Sequence, residues 1–123
     1  DMSDLLLIAD CLITDYSSCA GDFILRKKML LLYQPDYDEY VNNEREGYFD
    51  IKDSPYLVGK NTEEICEIIK YFNRDKARIN ATAIMNFYGT VETGFSTKKV
   101  VEYINRLSYE DNEAENLIED KNL

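Results

Sequence analysis

The stretch Leu12-Ile13-Thr14-Asp15-Tyr16-Ser17-Ser18 decides the fold of this 123-residue chain. It begins inside the apolar run Cys11–Thr14, whose length and composition predict a short buried strand. A second apolar run, Met29–Tyr33, follows, and residues 20–28 between the two runs predict a helix. Two short apolar runs joined by a helical crossover are typical of neighbouring parallel strands. We therefore predict a βαβ unit with the polar part of the stretch at the end of its first strand.

The remaining segments predict further helices around a narrow sheet. Residues 56–58 predict a weaker third strand, and residues 36–46 a surface helix or loop ending near Gly47. Four other segments predict helices or their caps: a short helix capped by Ser3, a helix capped by Thr62, and helices over residues 75–88 and 96–107. The predicted class is therefore α/β, with helices flanking a small parallel sheet.

Charge and length limit the function classes. The chain carries 24 acidic and 14 basic residues, a formal net charge of −10. Nucleic-acid binding depends on clustered Lys and Arg, so we predict no nucleic-acid partner. Six acidic side chains fall after residue 108, and we predict a folded domain over residues 1–107 and a flexible acidic tail over residues 108–123. The chain starts at Asp1 next to an apolar segment, and we expect it to be part of a longer protein.

Cysteine and histidine content limit the chemistry further. Cys11, Cys19 and Cys66 form no metal-ligand spacing, and their apolar neighbours predict buried thiols in a reducing compartment. The chain has no histidine, the usual general base near neutral pH. We expect no cofactor, no metal and no membrane-spanning segment, and hence a soluble chain.

The polar residues after the first strand suit a phosphate group. In open parallel sheets ligands bind beyond the carboxyl ends of the strands, where helix N-termini offer unpaired N–H groups. Asp15, Ser17 and Ser18 lie at such an end, and the two hydroxyls are additional donors. Asp22 follows one helical turn after Ser18 and could accept hydrogen bonds from ribose hydroxyls. On spacing alone, a plain helix cap at Ser17 and a solvated Asp22 are the favoured interpretation, and the phosphate site is the alternative.

The same segment resembles a known enzyme family. The runs from Ser3 to Asp10 and from Leu12 to Ser18, followed by Asp22-Phe23, resemble the C-terminal part of the CDP-glycerol:poly(glycerophosphate) glycerophosphotransferases, the teichoic-acid polymerase type. Weaker matches extend the resemblance over residues 2–107, including Gly47-Tyr48. The resemblance implies half of a GT-B-like enzyme, built from Rossmann-like halves with the active site between them.

The resemblance also implies ligands and roles. The donor CDP-glycerol would be held mainly by this part, with Ser17 and Ser18 on the diphosphate, Asp15 shaping the turn, and Asp22 facing the ribose or glycerol. The polyol-phosphate polymer acceptor would meet the missing part of the enzyme. The intact enzyme would be cytoplasmic and peripheral on the inner face of the membrane, so that this chain would contact a membrane only through its parent protein.

Two departures from the family and two rival functions remain. Cys19-Ala20-Gly21 replaces bulkier apolar residues, and the histidines that the family uses as base and phosphate ligand are absent. We therefore expect no transferase activity from this chain alone and name no catalytic residue. The rivals are a fragment of a GT-B glycosyltransferase or polysialyltransferase that uses another nucleotide sugar, and a non-catalytic interaction module.

Tyrosines and lysines outside the motif each have two interpretations. Five tyrosines, at positions 33, 37, 40, 48 and 56, would either pack the sheet or offer a stacking surface for cytosine or a polyol. Lys27-Lys28 would either end a helix favourably or meet a phosphate or anionic headgroup. Lys98-Lys99 with Arg106 would either be a solvated helix face or flank the acceptor.

Overall fold

The computed structural model describes residues 1–43 and 49–119, with side chains described as far as residue 109. The chain divides into two compact units, Asp1–Thr90 and a second that begins at Val91. The predicted Gly47-Tyr48 match lies outside the described residues. The flexibility predicted for residues 108–123 stays a prediction.

The sheet lies in the first unit and has three parallel strands in the order β1-β2-β3. Strands β1 (Cys11–Thr14) and β2 (Met29–Tyr33) have the predicted bounds and pair in register from Cys11 with Met29 onward. Strand β3 is Val58–Gly59 and pairs with the end of β2, so the predicted strand at 56–58 is displaced toward the carboxyl side. The predicted class of a small parallel α/β sheet is confirmed.

Gly59 explains where β3 ends. A Cβ atom placed on Gly59 would lie 2.7 Å from Cδ1 of Ile65, because the first turn of the following helix passes directly over the strand. A residue without a side chain permits this approach. The strand is thus followed at once by a helix that covers the edge of the sheet.

The described residues form six α-helices: α1 (Met2–Ile8), α2 (Cys19–Phe23), α3 (Tyr37–Asn43), α4 (Thr62–Tyr71) and α5 (Arg74–Phe87) in the first unit, and α6 (Ser96–Glu119) in the second. Two predicted caps are wrong by one or two residues. Asp1 caps α1 in place of Ser3, with the reciprocal Asp1–Asp4 hydrogen bonds of a capping box. Asn61 caps α4 in place of Thr62, because its extended backbone lets Oδ1 accept from the Glu64 amide at 2.9 Å.

The predicted continuous helix over residues 20–28 is also wrong. Helix α2 ends at Phe23, a 3₁₀ turn covers Ile24–Arg26, and Lys27 adopts a left-handed backbone with φ of 53°. The left-handed residue reverses the chain so that β2 can start two residues later. Helix α6 is longer than predicted, since it continues past residue 107 to Glu119.

The core lies between β2, α2 and α5. Strand β2 is buried on both faces, since Leu30, Leu31 and Leu32 are all buried, as expected for the middle strand of a parallel sheet. Phe23 and Ile84 are fully enclosed in this core. The thiols are less buried than predicted: Cys11 and Cys19 are half-buried, and Cys66 is exposed because it faces away from the buried Ile65 side of α4.

Within the described residues, no helix has the length and apolar character needed to cross a bilayer.

Candidate functional site

The turn after β1 is fixed by its own side chains. Oδ1 of Asp15 accepts a hydrogen bond from the Ser17 amide at 3.2 Å. Oγ of Ser17 accepts from the Cys19 amide at 3.4 Å. Each bond closes a small ring between a side chain and the backbone two residues on, a geometry that Asp and Ser favour in turns. The turn is therefore held in one shape before any ligand arrives.

Ser18 and Asp22 lie on the exposed side of the short helix that follows. Ser18 is the N-cap of α2, and its hydroxyl forms no capping hydrogen bond. Asp22 is exposed in the first turn of α2. Because α2 has only five residues, its dipole is weaker than that of the longer helix predicted from sequence. The amides of Ser17, Cys19, Ala20 and Gly21 already have acceptors within this segment, so the Ser17 and Ser18 hydroxyls, rather than a helix dipole, are the donors here.

A cleft of about 230 Å³ opens beside this turn, at the carboxyl ends of β1 and β2. Asp15 and Ser17 line the cleft, together with Leu32 at the end of β2. Ser18 and Asp22 do not line it and lie outside its rim. The structure therefore brings two of the four predicted site residues into the cleft and leaves the other two next to it on α2.

Six of the thirteen residues that line the cleft are aromatic and come from segments distant in sequence: Tyr16, Tyr37, Tyr40, Phe49, Tyr56 and Tyr88. Three of the five tyrosines singled out in the sequence lie here, at positions 37, 40 and 56; Tyr33 is exposed elsewhere, and Tyr48 is outside the described residues. The cleft is thus an amphipathic pocket, with ring faces and phenolic hydroxyls around a polar turn.

Tyr16 ties the turn to α3. Its ring stacks on Tyr40 with centroids 3.7 Å apart and planes 3° from parallel. Its hydroxyl donates to Oδ1 of Asp36 at 2.9 Å. Partial burial and the Asp36 carboxylate raise the pKa of Tyr16, and burial followed by the Tyr88 hydroxyl raises the pKa of Tyr56. Both phenols therefore stay protonated at neutral pH and act as hydrogen-bond donors.

Gln34 is the cleft residue that sequence reasoning missed. It is 3% exposed, and its Nε2 donates to the Asp15 carbonyl at 3.2 Å. Its own amide donates to the Gly59 carbonyl at 3.0 Å, so this residue joins the ends of all three strands. Its Oε1 is buried without a hydrogen-bond partner among the described residues. Gln34 comes directly after β2, and Asp15 comes directly after β1. Because the carboxyl ends of parallel strands meet at one edge of the sheet, the sequence could have predicted that Gln34 lies near Asp15.

The described part of the chain contains no group of three His, Cys, Asp or Glu side chains placed to hold a metal ion. The candidate site is composed of hydroxyls, a carboxamide, aromatic rings and the Asp15 carboxylate.

The fold and the cleft define the class of layered α/β proteins that bind ligands at the carboxyl edge of a parallel sheet. A model of the family described as CDP-Glycerol:Poly(glycerophosphate) glycerophosphotransferase matches residues 1–106. The chain belongs to this family.

Named relatives agree with the family. The teichoic acid poly(glycerol phosphate) polymerase of Bacillus spizizenii is 41% identical over 103 residues, which are 83% of this chain and 26% of the relative. The polymerase of the same name from Bacillus subtilis is 36% identical over 104 residues, 82% of this chain and 14% of the relative. The chain thus spans about a quarter or less of the length of these relatives.

Solved structures share the fold. The structure of the wall teichoic acid polymerase TagF superimposes with a TM-score of 0.70 at 25% identity, over 92% of this chain and 28% of that one. A histidine-to-asparagine form of TagF soaked with CDPG gives a TM-score of 0.67 at 27% identity, over 90% of this chain and 28% of that one. The GT-B-like fold expected from the resemblance is confirmed by this likeness.

Proposed function

We propose that this chain is the donor-binding portion of a glycerophosphotransferase and that it binds CDP-glycerol at the Asp15–Ser18 turn. The observation that carries the proposal is the preformed turn beside an open cleft at the carboxyl edge of the sheet. Two comparisons support it: the family model names CDP-glycerol, and the similar TagF structure was soaked with CDPG.

In this proposal the diphosphate lies against the turn. The Ser17 and Ser18 hydroxyls donate to phosphate oxygens. The amides of Ser17, Cys19, Ala20 and Gly21 already donate within the turn and the start of α2, so the hydroxyls make this contact. Asp15 keeps the turn in shape through its bond to the Ser17 amide. Gln34 holds the Asp15 carbonyl from below. A local set of neutral donors explains how a chain of charge −10 would bind a dianion without a basic patch at this edge.

Asp22 would contact a diol beside the diphosphate. Its carboxylate is exposed one helical turn from Ser18 and outside the cleft, so it can accept hydrogen bonds from vicinal hydroxyls. Both the cytidine ribose and the glycerol of the donor carry such a pair. The aromatic cleft on the other side of Ser17 would receive whichever end of the donor does not meet Asp22.

The intact enzyme would move glycerol phosphate from CDP-glycerol to a growing polyol-phosphate polymer with release of CMP. The reacting end of the acceptor would be bound by the part of the enzyme that this chain lacks. This division agrees with the quarter or less of its relatives' length that the chain spans.

The first test is a calorimetric titration of the 123-residue chain with CDP-glycerol, CDP and UDP, repeated on a Ser17→Ala/Ser18→Ala variant. We expect binding of the cytidine ligands and a loss of about tenfold or more in the variant, because each hydroxyl donates to a charged oxygen. A Ser3→Ala/Thr93→Ala variant, which removes two hydroxyls outside the cleft, is the matched control. Equal affinity in the Ser17/Ser18 variant, or preference for UDP, would contradict the proposal.

The second test concerns catalysis. We expect no transfer of glycerol phosphate to a polymer acceptor by the purified chain, because it contains no histidine to act as the base. A radiolabelled CDP-glycerol assay, with the intact relative from Bacillus subtilis as the positive control, measures this. Turnover that persists after repeated purification and disappears in the Ser17→Ala/Ser18→Ala variant would refute the expectation.

A further inference from the structure

A basic groove lies at the opposite end of the sheet from the cleft. It has a volume of about 640 Å³ and lies where β1 and β2 begin, beside the start of α5. Five of its lining residues are basic: Arg26, Lys27, Lys28, Arg74 and Arg78. Asp10 is the one acidic residue that lines it among the described residues. This is a strong local excess of positive charge in a chain whose net charge is −10.

Two of the five cations are used by the fold itself. Nζ of Lys28 pairs with Oδ1 of Asp10 at 2.6 Å and donates to the Ala9 carbonyl at 2.9 Å. The Arg26 guanidinium donates to the carbonyls of Leu6 and Leu7 at the end of α1. These contacts attach α1 and the start of β1 to the turn before β2. Lys28 and Arg26 are therefore structural. The charge of Lys28 is balanced by Asp10, whereas Arg26, which contacts carbonyls, adds its charge to the field of the groove.

The other three cations are available to a ligand. The side chains of Lys27, Arg74 and Arg78 are exposed and form no ion pair or hydrogen bond with the described residues. Lys27 occupies a left-handed position, with φ of 53°, where glycine would be accommodated at no steric cost. Arg74 and Arg78 lie one turn apart at the start of the 14-residue α5. Three unpaired cations from two separate elements thus surround one groove.

Two further features of the groove indicate the kind of ligand. Asn73 caps α5, so the amides of its first turn face the same region as the cations. Met29, Phe72 and Ala77 give the groove an apolar lining between its charges. The combination suits a ligand whose phosphate groups alternate with hydrocarbon.

We propose that this groove is a second anion site, which binds a chain of phosphodiesters through Lys27, Arg74 and Arg78. The three free cations can pair with more than one phosphate, and the apolar lining can contact the carbon atoms that link the phosphates. The concave shape favours a narrow chain over the flat surface of a bilayer. The site is independent of the donor turn, since it lies at the amino ends of the strands and the turn lies at their carboxyl ends.

The test compares two triple variants of the 123-residue chain. Lys27→Gln/Arg74→Gln/Arg78→Gln removes the three free cations of the groove. Lys98→Gln/Lys99→Gln/Arg106→Gln removes the same charge from α6 and controls for net charge. The probes are a synthetic hexamer of glycerol 3-phosphate diesters, inorganic pyrophosphate, and phosphatidylglycerol vesicles, with binding measured by calorimetry and vesicle sedimentation at low and physiological salt.

We expect the hexamer to bind more tightly than pyrophosphate and the groove variant to lose about tenfold in affinity, from three modest charge contacts. The α6 variant should change by less than about twofold, and both variants should keep the thermal midpoint of the unmodified chain. The Ser17→Ala/Ser18→Ala variant should bind the hexamer normally, which separates failure of this proposal from failure of the donor proposal. Equal losses in both triple variants, absence of hexamer binding by a folded chain, or vesicle binding that the groove variant alone abolishes would overturn it.

Discussion

Replacing Phe23 by alanine should cost about 3–5 kcal/mol in the free energy of unfolding, the usual range for a fully buried phenylalanine. Phe23 is 0% exposed at the point where α2 packs on the sheet, in one core cluster with Leu30, Leu32 and Ile84. Alanine would leave a cavity that the short α2 and its 3₁₀ turn cannot fill without moving β2. The expected fall in thermal midpoint is about 15–30 °C for a domain of this size.

Thermal unfolding followed by circular dichroism measures this loss. Phe95→Ala is the matched control, because Phe95 is 63% exposed and loses the same ring without leaving a cavity. The control should change the midpoint by no more than a few degrees. If the two variants were equally stable, Phe23 would not be the centre of the core. Since α2 also carries Asp22, donor binding should weaken together with stability in the Phe23 variant.

Replacing Gln34 by glutamate should lower the free energy of unfolding by a comparable amount at neutral pH. This loss should depend on pH. The new carboxylate would be buried beside the Asp15 carbonyl, with no positive partner among the described residues. An unpaired buried charge costs about 3–5 kcal/mol. Burial raises the folded-state pKa of this glutamate above the usual value of about 4.3. The stability lost at neutral pH should therefore return as the pH falls through the folded-state pKa, where the protonated acid can donate to Asp15 as Gln34 does.

Urea unfolding of this variant between pH 8 and pH 5, compared with the unmodified chain, measures both the loss of stability at neutral pH and its recovery as the pH falls. Gln34→Met is the control of similar shape. It loses the bond to Asp15 but also removes the unpaired Oε1, so its cost should be about 1 kcal/mol and independent of pH. A Gln34→Glu variant as stable as the unmodified chain at pH 7.5 would show that this residue does not join the strand ends in a dry environment.

Sequence patterns predicted the elements whose cause is local. The bounds of strands β1 and β2 were found to the residue, because continuous apolar runs between polar residues predict strands. The predicted burial holds for β2 but is wrong for β1, an edge strand with no buried residue and with Ile13 47% exposed. Helix α5 was placed within one residue at each end, Arg74–Phe87 against the predicted 75–88, because Gly89 with φ of 65° ends it. The donor turn was located for the same reason, since Asp15 and Ser17 shape it through bonds to neighbouring amides.

The sequence prediction fails mainly where contacts with distant segments, rather than neighbouring residues, set the local backbone conformation. The helix over residues 20–28 fails because the chain must reverse at Lys27 to bring β2 beside β1, a demand that no local pattern carries. The cap at Asn61 in place of Thr62 is a local exception, because the extended backbone of Asn61 lets its side chain accept from the Glu64 amide. Cys66 is exposed because only the Ile65 side of α4 meets the sheet.

The α/β class, the two principal strands, the family and the polar turn at Asp15–Ser18 follow from local sequence patterns, because each depends on residues close together in the chain. The surroundings of that turn depend on tertiary packing. Gln34 bridges Asp15 and Gly59 across three strands, and rings from positions 16 to 88 form one cleft, since parallel pairing brings strand ends from distant segments to the same edge. The basic groove at the other edge has the same origin: Lys27 and Arg74 are 47 positions apart in the numbering and meet only because α5 packs on the start of β2.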